Sequence, residues 1–257
     1  MTGGSSGIGK SFIELCGKLA PGVRLCNLSR SVPVIKSEQL KVCHVPCDLA
    51  DASAVQRATG EVESWLSREA PAGRVLLINN SGFGAYGHFP EPNLSHQLEL
   101  LDVNIRGLVD LTGRLLPMLR VRGGAVMNIA STAAFQPTPF MATYGASKAF
   151  VLHWSLALDA ELRGTGVRCL AVCPGPTRTE FFRRAGLKQG TVEAGLSMSA
   201  DEVARDALAA LGAGRSLVVT GWKNKVSAAF GGMAPKRIAT WAATKVIGRY
   251  LASRAQA

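Results

Sequence analysis

Short apolar runs alternate along this chain with longer stretches in which apolar residues return about every 3.6 positions. The runs Val23–Leu28, Leu40–Val45, Val75–Ile78, Ala125–Ile129, Val167–Cys173 and Leu217–Thr220 are bounded by Gly, Pro, Asn or Ser. Their near-continuous apolarity predicts strands buried on both faces. The helical period runs through Ile8–Ala20, Ala54–Leu66, Leu94–Leu119, Ala142–Leu162 and Ala200–Leu211. Strand alternating with helix implies right-handed βαβ crossovers, hence an α/β fold with a Rossmann-like doubly wound parallel sheet. There is no internal repeat and no linker long enough to separate a pair of domains. Residues 1–220 read as one unit and residues 221–257 as a helical extension.

One element is absent from this pattern. A doubly wound sheet opens with a strand, yet here only Met1 precedes Thr2 and the glycine-rich loop. In a sheet wound outward from its first strand, that strand is central. Losing it would leave two interior edges with unpaired backbone groups. The expectation is a sheet lacking its first strand as the chain stands, with a true start further upstream preferred over a compromised protein.

Composition narrows the class. The chain has 257 residues, 47% of them hydrophobic and 18% charged, which suits one large core and excludes dominant disorder. No apolar run approaches the ~20 residues of a membrane span. The segment MTGGSSGIGK is no secretory leader, and a cytoplasmic location is expected. Six cysteines (Cys16, Cys26, Cys43, Cys47, Cys169, Cys173) sit mostly in apolar runs without zinc-site spacing, so reduced structural thiols and no metal are expected. The formal charge of +11 invites a nucleic-acid partner. Eight of the 29 basic residues lie after Leu211, however, and no Asp or Glu follows Asp206. The basicity is thus mostly a C-terminal property, without the aromatic interleaving of a single-strand binder, and no nucleic-acid partner is expected.

Chemistry concentrates in two places. Thr2-Gly3-Gly4-Ser5-Ser6-Gly7-Ile8-Gly9 forms a glycine-rich loop opening a helix, where bare backbone N–H groups can approach a pyrophosphate. Tyr144 and Lys148 stand four apart on one helix face, so an ammonium can sit near a phenol and draw its pKa down from ~10. That would make Tyr144 a general acid/base. Ser131 lies thirteen residues before Tyr144, just past the strand Ala125–Ile129, at the carboxyl end where open α/β sheets place their sites.

With these residues together, the chain resembles the short-chain dehydrogenase/reductase family over nearly its whole length. The opening loop is similar to the family's TGxxxGxG. Asn79-Asn80-Ser81-Gly82 resembles NNAG, with Ser81 in place of Ala. Val103-Asn104-Ile105-Arg106-Gly107 looks like the segment carrying the family's catalytic Asn, and Pro174-Gly175-Pro176-Thr177-Arg178-Thr179 like the segment beside the nicotinamide. Asp48-Leu49 matches the pair that contacts adenine. The resemblance implies a catalytic tetrad of Asn104, Ser131, Tyr144 and Lys148. It also implies cofactor contacts from Gly3, Ser5, Ser6, Gly7, Ile8, Gly9, Arg30, Asp48, Leu49, Asn80, Ser81, Gly82, Tyr144, Lys148, Pro174, Gly175, Thr177 and Thr179. On this reading Ser131 and Tyr144 hold a carbonyl oxygen while hydride passes to its carbon. Lys148 tunes Tyr144, binds ribose hydroxyls and reaches Asn104 through a water. The alternative is a non-catalytic NADP(H)-binding sensor or scaffold of the same fold.

Cofactor choice rests on Cys26-Asn27-Leu28-Ser29-Arg30. No acidic residue is present to bond a ribose 2′-hydroxyl, whereas Ser29 and Arg30 suit a 2′-phosphate, so NADP(H) is expected over NAD(H). Phe83, Tyr86, Phe89 and Phe135–Met141 suggest an apolar pocket for a small-to-medium carbonyl or alcohol, with Phe181–Ser197 as its lid. The tail from Gly221 carries a basic amphipathic helix pattern. It could lie on an anionic membrane surface, cover the pocket or form a subunit contact. The resemblance implies a homodimer or homotetramer.

Overall fold

The computed structural model describes residues 1–35, 40–187 and 197–254, the last five in backbone only. The chain runs α1 (Gly7–Leu19), β1 (Leu25–Ser29), β2 (Val42–Pro46), α2 (Ala52–Glu69), β3 (Val75–Asn79) and α3 (Leu94–Leu101). It continues with α4 (Gly107–Arg122), β4 (Gly124–Ile129), α5 (Ala142–Glu161), β5 (Val167–Cys173), β6 (Thr177–Arg178) and α6 (Phe181–Arg184). It ends with β7 (Met198–Ser199), α7 (Ala200–Gly212), β8 (Leu217–Val219), α8 (Trp222–Met233) and α9 (Lys236–Arg254). The predicted strands and helices are found with ends moved by a few residues, except that the Leu94–Leu119 stretch is divided.

The main pairings are parallel and fall into two blocks, β2–β1 and β3–β4–β5–β8. Among the described residues, Met1–Gly3 stands between the blocks. Gly3 N–H donates to Leu28 O (2.9 Å) and Leu28 N–H to Met1 O (2.8 Å), while Thr2 N–H donates to Ile78 O (2.9 Å). The expected first strand is thus represented by one three-residue junction, bonded on both sides.

Side chains alternate across the sheet as strand geometry demands. From β4, Val126 enters a core with Leu111, Leu115 and Leu119 of α4 and Val55, Val62 and Leu66 of α2. Its neighbours Met127 and Ile129 enter the opposite core, with Phe12 of α1 and Ala204, Ala207 and Ala210 of α7. Helices therefore cover both faces, the arrangement that continuous apolar strands require. The first core also holds Cys26, Leu28, Val45 and Cys47, so apolar packing from one side bridges the two sheet blocks.

The long helix expected over Leu94–Leu119 is broken by a π-turn at Asp102–Arg106, where the Gly107 N–H bonds back five residues to Asp102 O. The extra residue per turn pushes Asn104 into the interior, where it is 1% exposed. Tertiary packing imposes this insertion, and periodicity alone does not show it.

Candidate active site

The carboxyl ends of β1, β3, β4 and β5 open on one cavity of about 700 Å³, well within the range of ligand and cofactor sites. The glycine loop forms one end of it. Thr2 Oγ1 accepts from the N–H groups of Asn80 (3.0 Å) and Ser81 (2.9 Å), and Asn80 Nδ2 donates to Gly3 O (3.1 Å). These bonds fix the loop against the end of β3. The loop is tight enough to require glycine: a Cβ on Gly9 would lie 2.2 Å from Gly3 O, and Gly7 has φ +53°. Ser6 stands at the N-cap of α1 without a side-chain capping bond, so the first N–H groups of that helix face the cavity uncapped.

Most predicted contact residues line this cavity. Gly3, Ser5, Ser6, Gly7 and Ile8 do so from the loop, Arg30 from the end of β1, and Asp48 and Leu49 from the end of β2. Asn80, Ser81 and Gly82 follow β3, and Pro174, Gly175, Thr177 and Thr179 follow β5. Gly9 and Asn104 do not line it. Gly9 packs beneath the loop, and Asn104 braces the wall from behind. Arg30 is two-thirds exposed, with its guanidinium 3.7 Å from Glu99 and 4.0 Å from Asp48. Ser29 lines the cavity too, but its hydroxyl already donates to Ser31 O (2.7 Å).

Ser131, Tyr144 and Lys148 converge at the other end. Ser131 caps a 3₁₀ turn, its Oγ accepting from Ala133 N–H (3.1 Å). Lys148 Nζ donates to Ile129 O (2.8 Å) and lies 5.9 Å from the centre of the Tyr144 ring. Phe181 packs on that ring at 5.2 Å. Asn104 accepts from Phe83 N–H (3.1 Å) and donates to Phe83 O (3.0 Å) and Ser147 Oγ (3.1 Å). Its amide thereby ties the segment after β3 to α5 one residue before Lys148.

The electrostatics depart from the expectation. Burial pushes the Tyr144 phenol up to about 12, with the Ser131 hydroxyl pulling the other way. Burial likewise brings Lys148 down to about 8. The lowering of the Tyr144 pKa by Lys148 is therefore not found. Desolvation dominates, while the Lys148 ammonium points to a backbone carbonyl and is itself destabilised by burial. At neutral pH the phenol keeps its proton.

The pocket wall is partly as expected. Phe83, Tyr86, Gln136, Thr138 and Met141 line it. Phe89 is 66% exposed and lies apart, and Phe140 turns to His88. Of the expected lid, Phe181, Phe182, Arg184 and Leu187 border the cavity, and residues 188–196 fall outside the described residues. Sequence reasoning missed His96 and Glu99 of α3, and Asn224, Ser227, Val246 and Ile247 of α8 and α9. No local motif marks them. Only the chain path brings them in, helped by the bond from Tyr86 Oη to Ile247 O (2.7 Å).

The strand ends of a doubly wound sheet thus share one cavity, rimmed by a glycine loop and a Ser–Tyr–Lys cluster, the place where open α/β folds put their ligand sites. The family model for short chain dehydrogenase matches residues 1–190, and the chain belongs to that family. It is 35% identical over 151 residues to sulfoacetaldehyde reductase 2 of Chromohalobacter salexigens, covering 56% of this chain and 57% of that relative, less than two thirds of its length. It is 30% identical over 254 residues to hydroxysteroid dehydrogenase-like protein 1 of Gallus gallus, covering 94% of this chain and 73% of that one. Among solved structures it is similar to a short chain dehydrogenase from Burkholderia cenocepacia J2315 in complex with NADP. That likeness has a TM-score of 0.76 and 25% identity, and covers 92% of this chain and 93% of the other.

Proposed function

We propose that the chain is an NADP(H)-dependent oxidoreductase interconverting a carbonyl and a secondary alcohol on an apolar small-to-medium substrate. The observation that carries this reading is the convergence of Ser131, Tyr144 and Lys148 in the same cavity as the glycine loop. The cavity fits a dinucleotide: its loop excludes any Cβ at Gly9, and the uncapped start of α1 offers N–H groups to a pyrophosphate. The loop residues Gly3, Ser5, Ser6, Gly7 and Ile8 would hold the phosphates, and Arg30 a 2′-phosphate. Asp48 and Leu49 would flank the base, and Asn80–Gly82 with Pro174–Thr179 the remainder. The NADP bound by the Burkholderia structure is consistent with this choice. When bound, the cofactor supplies or accepts the hydride.

The chain's own residues handle the oxygen and the proton. Ser131 Oγ and Tyr144 Oη would hold the substrate oxygen. Tyr144, with its pKa near 12, carries a proton ready for a nascent alkoxide, which suits carbonyl reduction. Lys148, fixed by Ile129 O, keeps positive charge beside the phenol. Asn104 acts as a positioning residue, because its amide is engaged by Phe83 and Ser147. Phe83, Tyr86 and Met141 line the cavity and would keep water from the reacting carbonyl.

The test is Tyr144→Phe assayed against a panel of apolar aldehydes and ketones. Turnover should fall roughly 10²- to 10⁴-fold while NADPH binding is retained. NADPH binding with turnover unaffected by the substitution, or with no turnover in either protein, would move the assignment to the non-catalytic binder.

A further inference from the structure

α8 and α9 are built inside out. Toward the body α8 presents Asn224, Ala228 and Gly231, and α9 presents Ala239 and Ala243. Their large apolar side chains face away, with Trp222 72%, Met233 87% and Trp241 65% exposed, alongside Val226, Phe230 and Ile238. In α8 the residues Trp222, Val226, Phe230 and Met233 form a single stripe at about 100° per residue, with Lys223 and Lys225 falling on either side of it. In α9 Ile238, Trp241, Lys245 and Arg249 share the outward face. Both helices press on one segment of the body. A Cβ on Gly231 would meet Gln136, one on Gly248 would meet Phe140, and Lys236 Nζ reaches Phe135 O (3.5 Å). Both helices therefore cover the same segment of the body, with their exposed apolar side chains turned away from it.

The charge that these two helices carry is uniformly cationic. No acidic residue follows Asp206, and among the described residues Lys225, Arg237, Lys245 and Arg249 form no ion pair. A second copy docked here about a two-fold axis would set cation against cation with nothing to neutralise them. An apolar stripe with tryptophans and flanking lysines matches the headgroup layer of an anionic bilayer, where rings enter the interface and ammonium groups meet phosphates. No helix among the described residues is long and apolar enough to cross a membrane, so the surface would lie on one.

We propose that α8 and α9 form a docking face for an anionic lipid surface. Ser227, Val246 and Ile247 of the same helices line the cavity, so docking sets one wall of that cavity beside the bilayer.

The experiment is co-sedimentation of the full chain with phosphatidylcholine vesicles, with and without about one-third phosphatidylserine. Partition should be at least about tenfold stronger to the anionic vesicles and weaken with salt, with a blue shift in tryptophan emission. Lys225→Glu with Lys245→Glu should lose roughly that factor, as should Trp241→Ser with Phe230→Ser. Lys18→Glu with Lys41→Glu, an equal charge change elsewhere, should lose much less. Circular dichroism and NADPH titration report on folding independently of vesicles. Absence of binding to anionic vesicles at low salt overturns the proposal, and so does an equal loss in the Lys18/Lys41 variant. Equal affinity for polyglutamate, or a dimer in sedimentation velocity that the Trp241→Ser/Phe230→Ser variant dissolves, assigns the face to a protein partner and also overturns it. No outcome depends on turnover.

Discussion

Replacing Arg30 with Ala should weaken NADPH and leave NADH almost untouched. A charge-assisted hydrogen bond from a guanidinium to a phosphate contributes about 1.5–3 kcal/mol. Against it stand the contacts that Arg30 gives up, with Glu99 at 3.7 Å and Asp48 at 4.0 Å. Both are exposed pairs, each worth about 0–1 kcal/mol. The net is about 1–2 kcal/mol, or roughly 5- to 30-fold in Kd. Titration of the free protein with each cofactor, followed by energy transfer from tryptophan to nicotinamide, gives both constants. The ratio should shrink with added salt, because Arg30 is two-thirds exposed. Glu99→Gln should shift the ratio the opposite way by freeing the guanidinium. Equal weakening of both cofactors in Arg30→Ala, or an unchanged ratio, would refute the assignment of Arg30 to the 2′-phosphate.

Carbonyl reduction should be nearly independent of pH below about 7 and decline above 8, because Lys148, lowered to about 8, loses its charge while Tyr144 at about 12 stays protonated. A pH profile of kcat/KM checks this, and Lys148→Arg should remove the alkaline limb; a limb that stays in place is not that of Lys148. Asn128 is fully buried, accepts from Asn79 Nδ2 (2.8 Å) and donates to Ser155 Oγ (2.9 Å). Asn128→Ala should cost about 2–3 kcal/mol and lower Tm by roughly 4–12 °C in a thermal melt.

Most of the scaffold is legible because burial writes itself into the sequence. Val167–Cys173 is apolar at nearly every position because both faces of β5 are covered. The cofactor end is legible for a related reason: Gly9 cannot carry a Cβ, so the requirement appears as a letter. The π-turn around Asn104 leaves no such mark, since it arises from how α3 and α4 meet the segment after β3. The pKa of Tyr144 is hidden because spacing reports that Lys148 is near, and says nothing about how dry the pair is. Asn224, Val246 and Ile247 join the cavity through tertiary path alone. Net charge invites a nucleic-acid reading until the sequence shows that most of the excess lies after Leu211.

The loop proposed to grip the cofactor is also bonded to the ends of two strands. Gly3 N–H donates to Leu28 O of β1, and Thr2 Oγ1 accepts from the Asn80 and Ser81 N–H groups just past β3. A dinucleotide held there would stiffen both strand ends in proportion to its saturation. Amide exchange at the ends of β1 and β3 would then follow cofactor concentration more steeply than exchange in the middle of β4 or β5. The grip on the ligand and the local stability of those strand ends would rise and fall together.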